Sequence, residues 1–311
     1  MPMIVTLTLN PALDLTTSID HLVPSEKMRC SAPRHDPGGG GINVARAIHA
    51  LGGEALAVFP AGGPTGARIE TLLADEGVPC QLIPIAGLTR ENLAVDERET
   101  GKQFRFVMPG PALSQGERQS CLTALAGIRP KPAYLVASGS LPSGCPETFY
   151  GTIIDWAAAN DIKLILDTSG PALAVVRDKP VFLLKPSRSE LEHLVGRSLS
   201  GRDAIAAAAL DLVARRCAEI VVVSLGAAGA LLATAAGHAA FPAPRIATKS
   251  TVGAGDSMVA GMVLAIARGR PLDEAVRLGI AAGAAASLNP GTALCRRTDV
   301  ERLFGAAIPA G

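Results

Sequence analysis

Short apolar runs recur along this chain, and each ends at once in a polar or glycine-rich turn. They fall at residues 4–9, 55–59, 134–137, 164–166, 181–184 and 220–224. The turns that follow them are Asn10-Pro11, Pro60-Ala61-Gly62-Gly63, Ser138-Gly139-Ser140, Asp167-Thr168-Ser169-Gly170, Lys185-Pro186-Ser187 and Leu225-Gly226. Helical patterns at 42–51, 68–76, 148–160 and 202–216 separate most of the runs. A continuous apolar run of strand length is buried on both faces, so this alternation predicts an α/β fold with a parallel sheet covered by helices on either side. Ligands of such sheets bind beyond the carboxyl ends of the strands, where these turns fall. The chain is 48% hydrophobic and 18% charged, enough to build the required core. Its 311 residues suffice for one large α/β domain or two smaller ones.

Two regions break the alternation. Residues 14–19 lead through Pro24 to 27–30, and 92–96 pair naturally with 103–107 across Glu99-Thr100-Gly101. In the second, Phe104 and Phe106 share one face and Arg105 lies on the other. With no helices beside them, these strands, from about 14–30 and 90–108, read as a small sheet projecting from the main body. A two-sided exposed sheet is poorly stable alone, so it should cover a site, pair with another subunit, or both.

Composition excludes several classes of function. The formal net charge is +1 with Lys and Arg scattered, which leaves no footprint for nucleic acid or an anionic membrane. The six cysteines lie far apart with no Cys-x-x-Cys pair, so buried thiols are expected rather than a disulfide frame or zinc site. No targeting segment or membrane-length apolar run is visible, and a cytoplasmic protein is expected.

Two segments carry chemistry. In Ser250-Thr251-Val252-Gly253-Ala254-Gly255-Asp256-Ser257-Met258, two glycines precede an apolar segment, 258–267, that reads as a buried helix. Such a turn can aim several N–H groups at one point, where the helix dipole also favours negative charge, with the Asp256 carboxylate at its edge. Donors for a developing anion beside a base for a hydroxyl proton are what phosphoryl transfer to an alcohol requires. On this segment alone, a plain tight turn with Asp256 as helix cap fits equally well. The second segment, Pro37-Gly38-Gly39-Gly40-Gly41-Ile42-Asn43, opens a helix whose Val44, Ile48 and Leu51 share a face. Four adjacent glycines cost much conformational entropy, which favours a loop shaped for a ligand over a merely flexible one. It is neither a Walker A loop nor a dinucleotide fingerprint.

With Phe104-Arg105-Phe106-Val107-Met108-Pro109-Gly110, Ser138-Gly139-Ser140-Leu141-Pro142, Val222-Val223-Ser224-Leu225-Gly226 and Asn289-x-Gly291-Thr292-x-Leu294-Cys295, these two segments resemble the signature regions of the PfkB, or ribokinase-like, carbohydrate kinases. The resemblance runs over nearly the whole chain and is closest to the branch that phosphorylates fructose 6-phosphate. It implies a three-layer α/β/α domain over residues 1–311 with a central, mainly parallel sheet and a β-sheet lid. The implied activity is transfer from ATP to the 1-hydroxyl of fructose 6-phosphate. Tagatose-6-phosphate kinase and 1-phosphofructokinase are the alternatives within the family, and a non-catalytic sugar-phosphate sensor is the alternative outside it.

The resemblance further implies roles. Asp256 would take the hydroxyl proton while Gly253, Ala254 and Gly255 hold the transferring phosphoryl. Asp14, Gly39, Gly40 and Asn43 would bind sugar hydroxyls. Lys27, Arg90 and Arg105 would bind the sugar's phosphate, a dianion best gripped from several directions. Either hydroxyl beside Gly139 could join them, with Ser138 favoured. Lys185, Ser224, Gly226, Gly229 and Asn289 would hold the nucleotide. Glu190 would organise Mg²⁺, although Ser187-Arg188-Ser189-Glu190 stands where the family usually has Asn-x-x-Glu. Ser250, Val252 and Gly291 could supply oxygens to a monovalent cation such as K⁺. A homodimer joined through the lid sheets is implied as well.

Overall fold

The computed structural model describes residues 1–306. The apolar runs become β1 (Ile4–Leu7), β4 (Leu56–Ala61), β8 (Tyr134–Ser138), β9 (Lys163–Asp167), β10 (Val181–Leu184) and β11 (Ala218–Ser224). With β5 (Cys80–Pro84), β12 (Ala230–Thr234) and β13 (Gly237–Phe241) they form one nine-stranded sheet, ordered β13-β12-β11-β10-β9-β8-β1-β4-β5. Every pairing from β5 to β11 is parallel, and the β11–β12–β13 edge is antiparallel. The expected buried strands are present, some displaced by a residue or two at their ends.

Alternate side chains of each strand feed opposite cores. On β8, Val136 packs under one layer and Leu135 and Ala137 under the other. One layer comprises α1 (Gly40–Ala50), α2 (Gly63–Asp75), α7 (Ala254–Ala267), α8 (Leu272–Ser287) and α9 (Arg297–Ala306). The other comprises α3 (Gln115–Gly127), α4 (Phe149–Ala159), α5 (Arg188–Val195) and α6 (Gly201–Ala214). The three-layer α/β/α architecture expected from the alternation is therefore the observed one. β1 lies between β4 and β8, so the chain leaves it first to one side and later to the other. That switch point is where an open α/β sheet forms a crevice.

A separate four-stranded sheet, ordered β3-β2-β6-β7, projects as expected. It comprises β2 (Ala12–Ile19), β3 (Arg34–Gly38), β6 (Arg90–Glu97) and β7 (Gln103–Phe106). The hairpin pairs Leu93 with Phe106 and Val95 with Phe104, as its alternation requires. The first pair differs from expectation: residues 27–30 are not a strand, and β2 pairs instead with β3, Asp14 opposite Asp36. Pro33 has no N–H to give a ladder, so pairing opens just after it, at Arg34 opposite Thr16. The consequence is that β3 runs straight into the glycine loop at Gly38.

Candidate active site

The glycine loop is shaped by what lies beneath it. Gly39 caps α1 at φ 109°, and a Cβ on Gly40 would stand 2.3 Å from Ser138 Oγ and 2.7 Å from the Gly139 nitrogen. Only a residue without a side chain lets α1 begin directly on the β8 turn. That turn is itself pinned, because Tyr150 and Thr168 hydroxyls both donate to the Gly139 carbonyl. Asp14, from β2, lies across the same loop, within 2.2 Å of where a Cβ on Gly38 would be.

α7 starts four residues earlier than the apolar pattern suggests, at Ala254. Gly253, at φ 70°, is its cap. Asp256 therefore sits inside the first helical turn, and Gly253 rather than Asp256 is the cap. Asn43 Nδ2 on α1 donates to its Oδ2 at 2.9 Å, joining the two signature segments. Burial, and next the negative charge of Asp167, push the Asp256 carboxyl up to about 7, against the opposing pull of Asn43 and Lys185. A carboxyl with that value exchanges protons readily near neutrality, as a general base must.

Asp167 is a site residue that the sequence reading left unassigned. It ends β9, receives a 3.0 Å ion pair from Lys185 Nζ at the end of β10, and accepts a 3.3 Å hydrogen bond from Ser138 Oγ. Burial alone would lower the Lys185 ammonium, but Asp167, Glu190 and Asp256 together raise it, so it stays charged. A carboxylate at a buried strand's end in a ligand-binding crevice was the available signal.

Around Asp14 the charges suit an anionic ligand. Burial raises its carboxyl, while Asn92 Nδ2, 2.8 Å from Oδ1, and the cations Arg105 and Arg90 oppose that rise. Arg90 is anchored, donating to the Met108 and Asn10 carbonyls, and Arg105 projects from β7. Lys27 is exposed in the β2–β3 connection and makes no hydrogen bond or ion pair among the described residues.

On the other side of α7's amino end lies a cavity of about 420 Å³, lined by Ser224, Gly226, Gly229, Thr251, Gly255 and Ser287 among others. Three of the five predicted nucleotide residues thus share one wall. Asn289 turns inward instead, its Nδ2 donating to the Ala285 and Leu294 carbonyls. Ser187 and Glu190 form a capping box at the start of α5, leaving one Glu190 oxygen free of it. Ser250 Oγ donates to the Gly291 carbonyl and accepts from the Val252 N–H, so those three residues do converge. Among the described residues, no helix is long and apolar enough to cross a membrane.

A buried carboxyl at a helix amino end, with the Asp14–Arg90–Arg105 cluster near the glycine loop and a cavity lined by Ala254 and Gly255 of the same helix, is an arrangement suited to group transfer. The pattern of the pfkB family carbohydrate kinases matches residues 7–299. The chain belongs to that family. This kinase is 52% identical over 303 residues to a Mycobacterium tuberculosis protein named ATP-dependent 6-phosphofructokinase isozyme 2, covering 97% of this chain and 89% of the relative. A 1-phosphofructokinase of Xanthomonas campestris pv. campestris is 37% identical, covering 88% of this chain and 86% of the relative. The crystal structure of phosphofructokinase-2 from Escherichia coli in complex with potassium superposes on the kinase with a TM-score of 0.95 at 44% identity, covering 99% of each chain.

Proposed function

We propose that this kinase moves the γ-phosphoryl of ATP to the 1-hydroxyl of fructose 6-phosphate, giving fructose 1,6-bisphosphate and ADP. The single observation that carries this reading is the Asp256 carboxyl, tuned near neutrality and held by Asn43 at the amino end of α7. The greater identity to the 6-phosphofructokinase relative than to the 1-phosphofructokinase supports the choice of acceptor.

Asp14, Asn43 and the Gly39-Gly40 backbone receive the sugar, and Arg90 and Arg105 its phosphate, with Ser138 at the floor. Asp256 takes the proton of the 1-hydroxyl as its oxygen bonds to the γ-phosphorus. The bond from that phosphorus to the bridging oxygen breaks, and ADP leaves. The N–H groups of Gly253, Ala254 and Gly255 at the positive end of α7 stabilise the charge on the transferring group. Lys185, kept protonated by Asp167, lies beside the turn: a Cβ on Gly255 would stand 3.7 Å from its Nζ. Ser224, Gly226 and Gly229 line the nucleotide cavity.

Among the described residues no cluster of three or more His, Cys, Asp or Glu could hold a metal. The free oxygen of Glu190 instead fits a magnesium ion that arrives on the nucleotide and keeps most of its waters, as Mg²⁺ prefers. Bound there, the ion would neutralise charge on the polyphosphate. The Ser250–Val252–Gly291 convergence supports potassium use. The entire chain acts as one kinase domain, and cytoplasmic residence suits its six free thiols. The exposed Phe104, Phe106, Val107 and Met108 on and after β7 support pairing of two lids in a homodimer.

A coupled assay of ADP release tests the reading with fructose 6-phosphate, tagatose 6-phosphate and fructose 1-phosphate. The highest kcat/KM is expected with the first. ADP release with none of the three would favour a sugar-phosphate sensor.

A further inference from the structure

The lid touches the body at a point that no substrate role explains. Thr292 Oγ1 donates to Asp36 Oδ2 at 2.6 Å, joining residues 256 positions apart. Arg34 closes a ring around them: its Nε donates to the same Asp36 oxygen at 2.8 Å and its Nη2 to Thr292 Oγ1 at 3.2 Å. A hydroxyl has one donor and two acceptor sites. With its proton on Asp36, Thr292 takes its remaining hydrogen bond, at 3.3 Å, from the Thr16 hydroxyl of β2. The other Asp36 oxygen faces Arg46 Nη2 of α1 at 3.6 Å, and Arg46 Nη1 donates to the neighbouring Pro37 carbonyl. Asp36 and Thr292 are both buried.

Each end of this ring continues into one substrate's side of the site. On the lid side, Asp36 is followed by Pro37 and then by Gly38, against which the Asp14 carboxylate rests. On the body side, Thr292 follows Gly291, whose carbonyl receives the Ser250 hydroxyl, and Ser250 Oγ holds the Val252 N–H. The next residue, Gly253, caps α7, and a Cβ there would lie 2.5 Å from Leu294 of the same loop. The segments 249–253 and 287–294 are also joined by Lys249 N–H to the Ser287 carbonyl, which ties the phosphate turn to the Thr292 loop.

We infer that Asp36 and Thr292 are positioning residues: their hydrogen bond transmits occupancy of the sugar side to the phosphate turn, so that each substrate raises the other's affinity. The inference rests on the proposed reaction only for the identity of the sugar. Coupling of this kind is reciprocal, and the factor for nucleotide in the presence of sugar equals that for sugar in the presence of nucleotide. The ring between β3 and the 287–294 loop is the contiguous hydrogen-bonded element through which such coupling would pass.

The test is the affinity for a non-hydrolysable ATP analogue with and without saturating fructose 6-phosphate. A factor of about 5 to 150 is typical of such coupling and is expected for the wild-type kinase. Thr292→Val keeps the side-chain shape and removes the hydroxyl, and is expected to bring the factor near one while each ligand alone binds as before. Thr292→Ser restores it, and Asp36→Asn added to Thr292→Val loses nothing further. Hydrogen exchange of 250–255 in the unliganded protein serves as a second readout and is expected to speed up in Thr292→Val. A wild-type factor near one, or a Thr292→Val protein with wild-type coupling and wild-type exchange, overturns the inference. Failure of fructose 6-phosphate to bind would instead overturn the proposed acceptor, and the exchange measurement would then decide the ring's role.

Discussion

At Asp256 two opposed demands meet in one side chain. The proposed reaction needs the ionised carboxylate, yet burial and the charge of Asp167 hold the group to about 7. In the free kinase kcat/KM should therefore fall as pH drops below about 7. Asp256→Asn should lower kcat by roughly 10²–10⁴-fold, the usual range for a general base. Stability runs the other way. The folded value lies above the ordinary 3.8, so this group's stabilising contribution is complete below that pH and is lost as pH rises through about 7. Asp256→Asn, inactive, should accordingly melt higher than wild type at pH 8 but not at pH 4, which thermal denaturation at the two pH values would check. Asp167→Asn removes a negative neighbour, and the acid limb of the kcat/KM profile should move to lower pH. An unmoved limb would separate Asp167 from the base.

Elements show where a sequence speaks and where it falls silent. β1, β8 and β10 were legible because strands buried on both faces must be continuously apolar. The helix over Gly40–Ala50 was legible from its shared apolar face and the glycines before it. β3 was not, since Arg34-His35-Asp36-Pro37-Gly38 has no apolar period to read: its side chains serve a polar ring rather than a core. The start of α7 was hidden for a related reason, because Gly253 and Gly255 flank Ala254, and glycine is a poor helix former that adds nothing to an apolar pattern. Asp256 and Asn43 could be picked out by motif, whereas Asp167 is marked only by its place at the end of a buried strand, and the partners of Thr292 show only once the chain is folded. At α5, Ser187 and Glu190 satisfy each other's backbone N–H groups. Ser187→Ala should cost about 1 kcal/mol of unfolding free energy, measured in urea, while Ser187→Asn, an equally good cap, should cost much less.

For the whole molecule, the exposed apolar side chains of the lid bear on the proposed dimer. Phe106 is 47% exposed and Val107 61%, beside Phe104 and Met108, on and just after an edge strand with unpaired backbone groups. Such an edge invites a partner. Phe106→Asp should halve the mass seen by light scattering if the lids form the dimer. A wild-type monomer at working concentration would contradict the pairing. The main sheet was predictable as a whole because alternation of strand and helix repeats along most of the chain, while the lid's partner surface lies on short strands whose alternation serves two different faces.

The Asn43–Asp256 hydrogen bond spans 213 positions, and Asp14 lies still nearer the start of the chain. The glycine loop and α7 thus come from far-separated segments that meet only in the finished fold. A fragment ending before α7 would retain the lid strands and the glycine loop but lack the carboxyl that Asn43 holds.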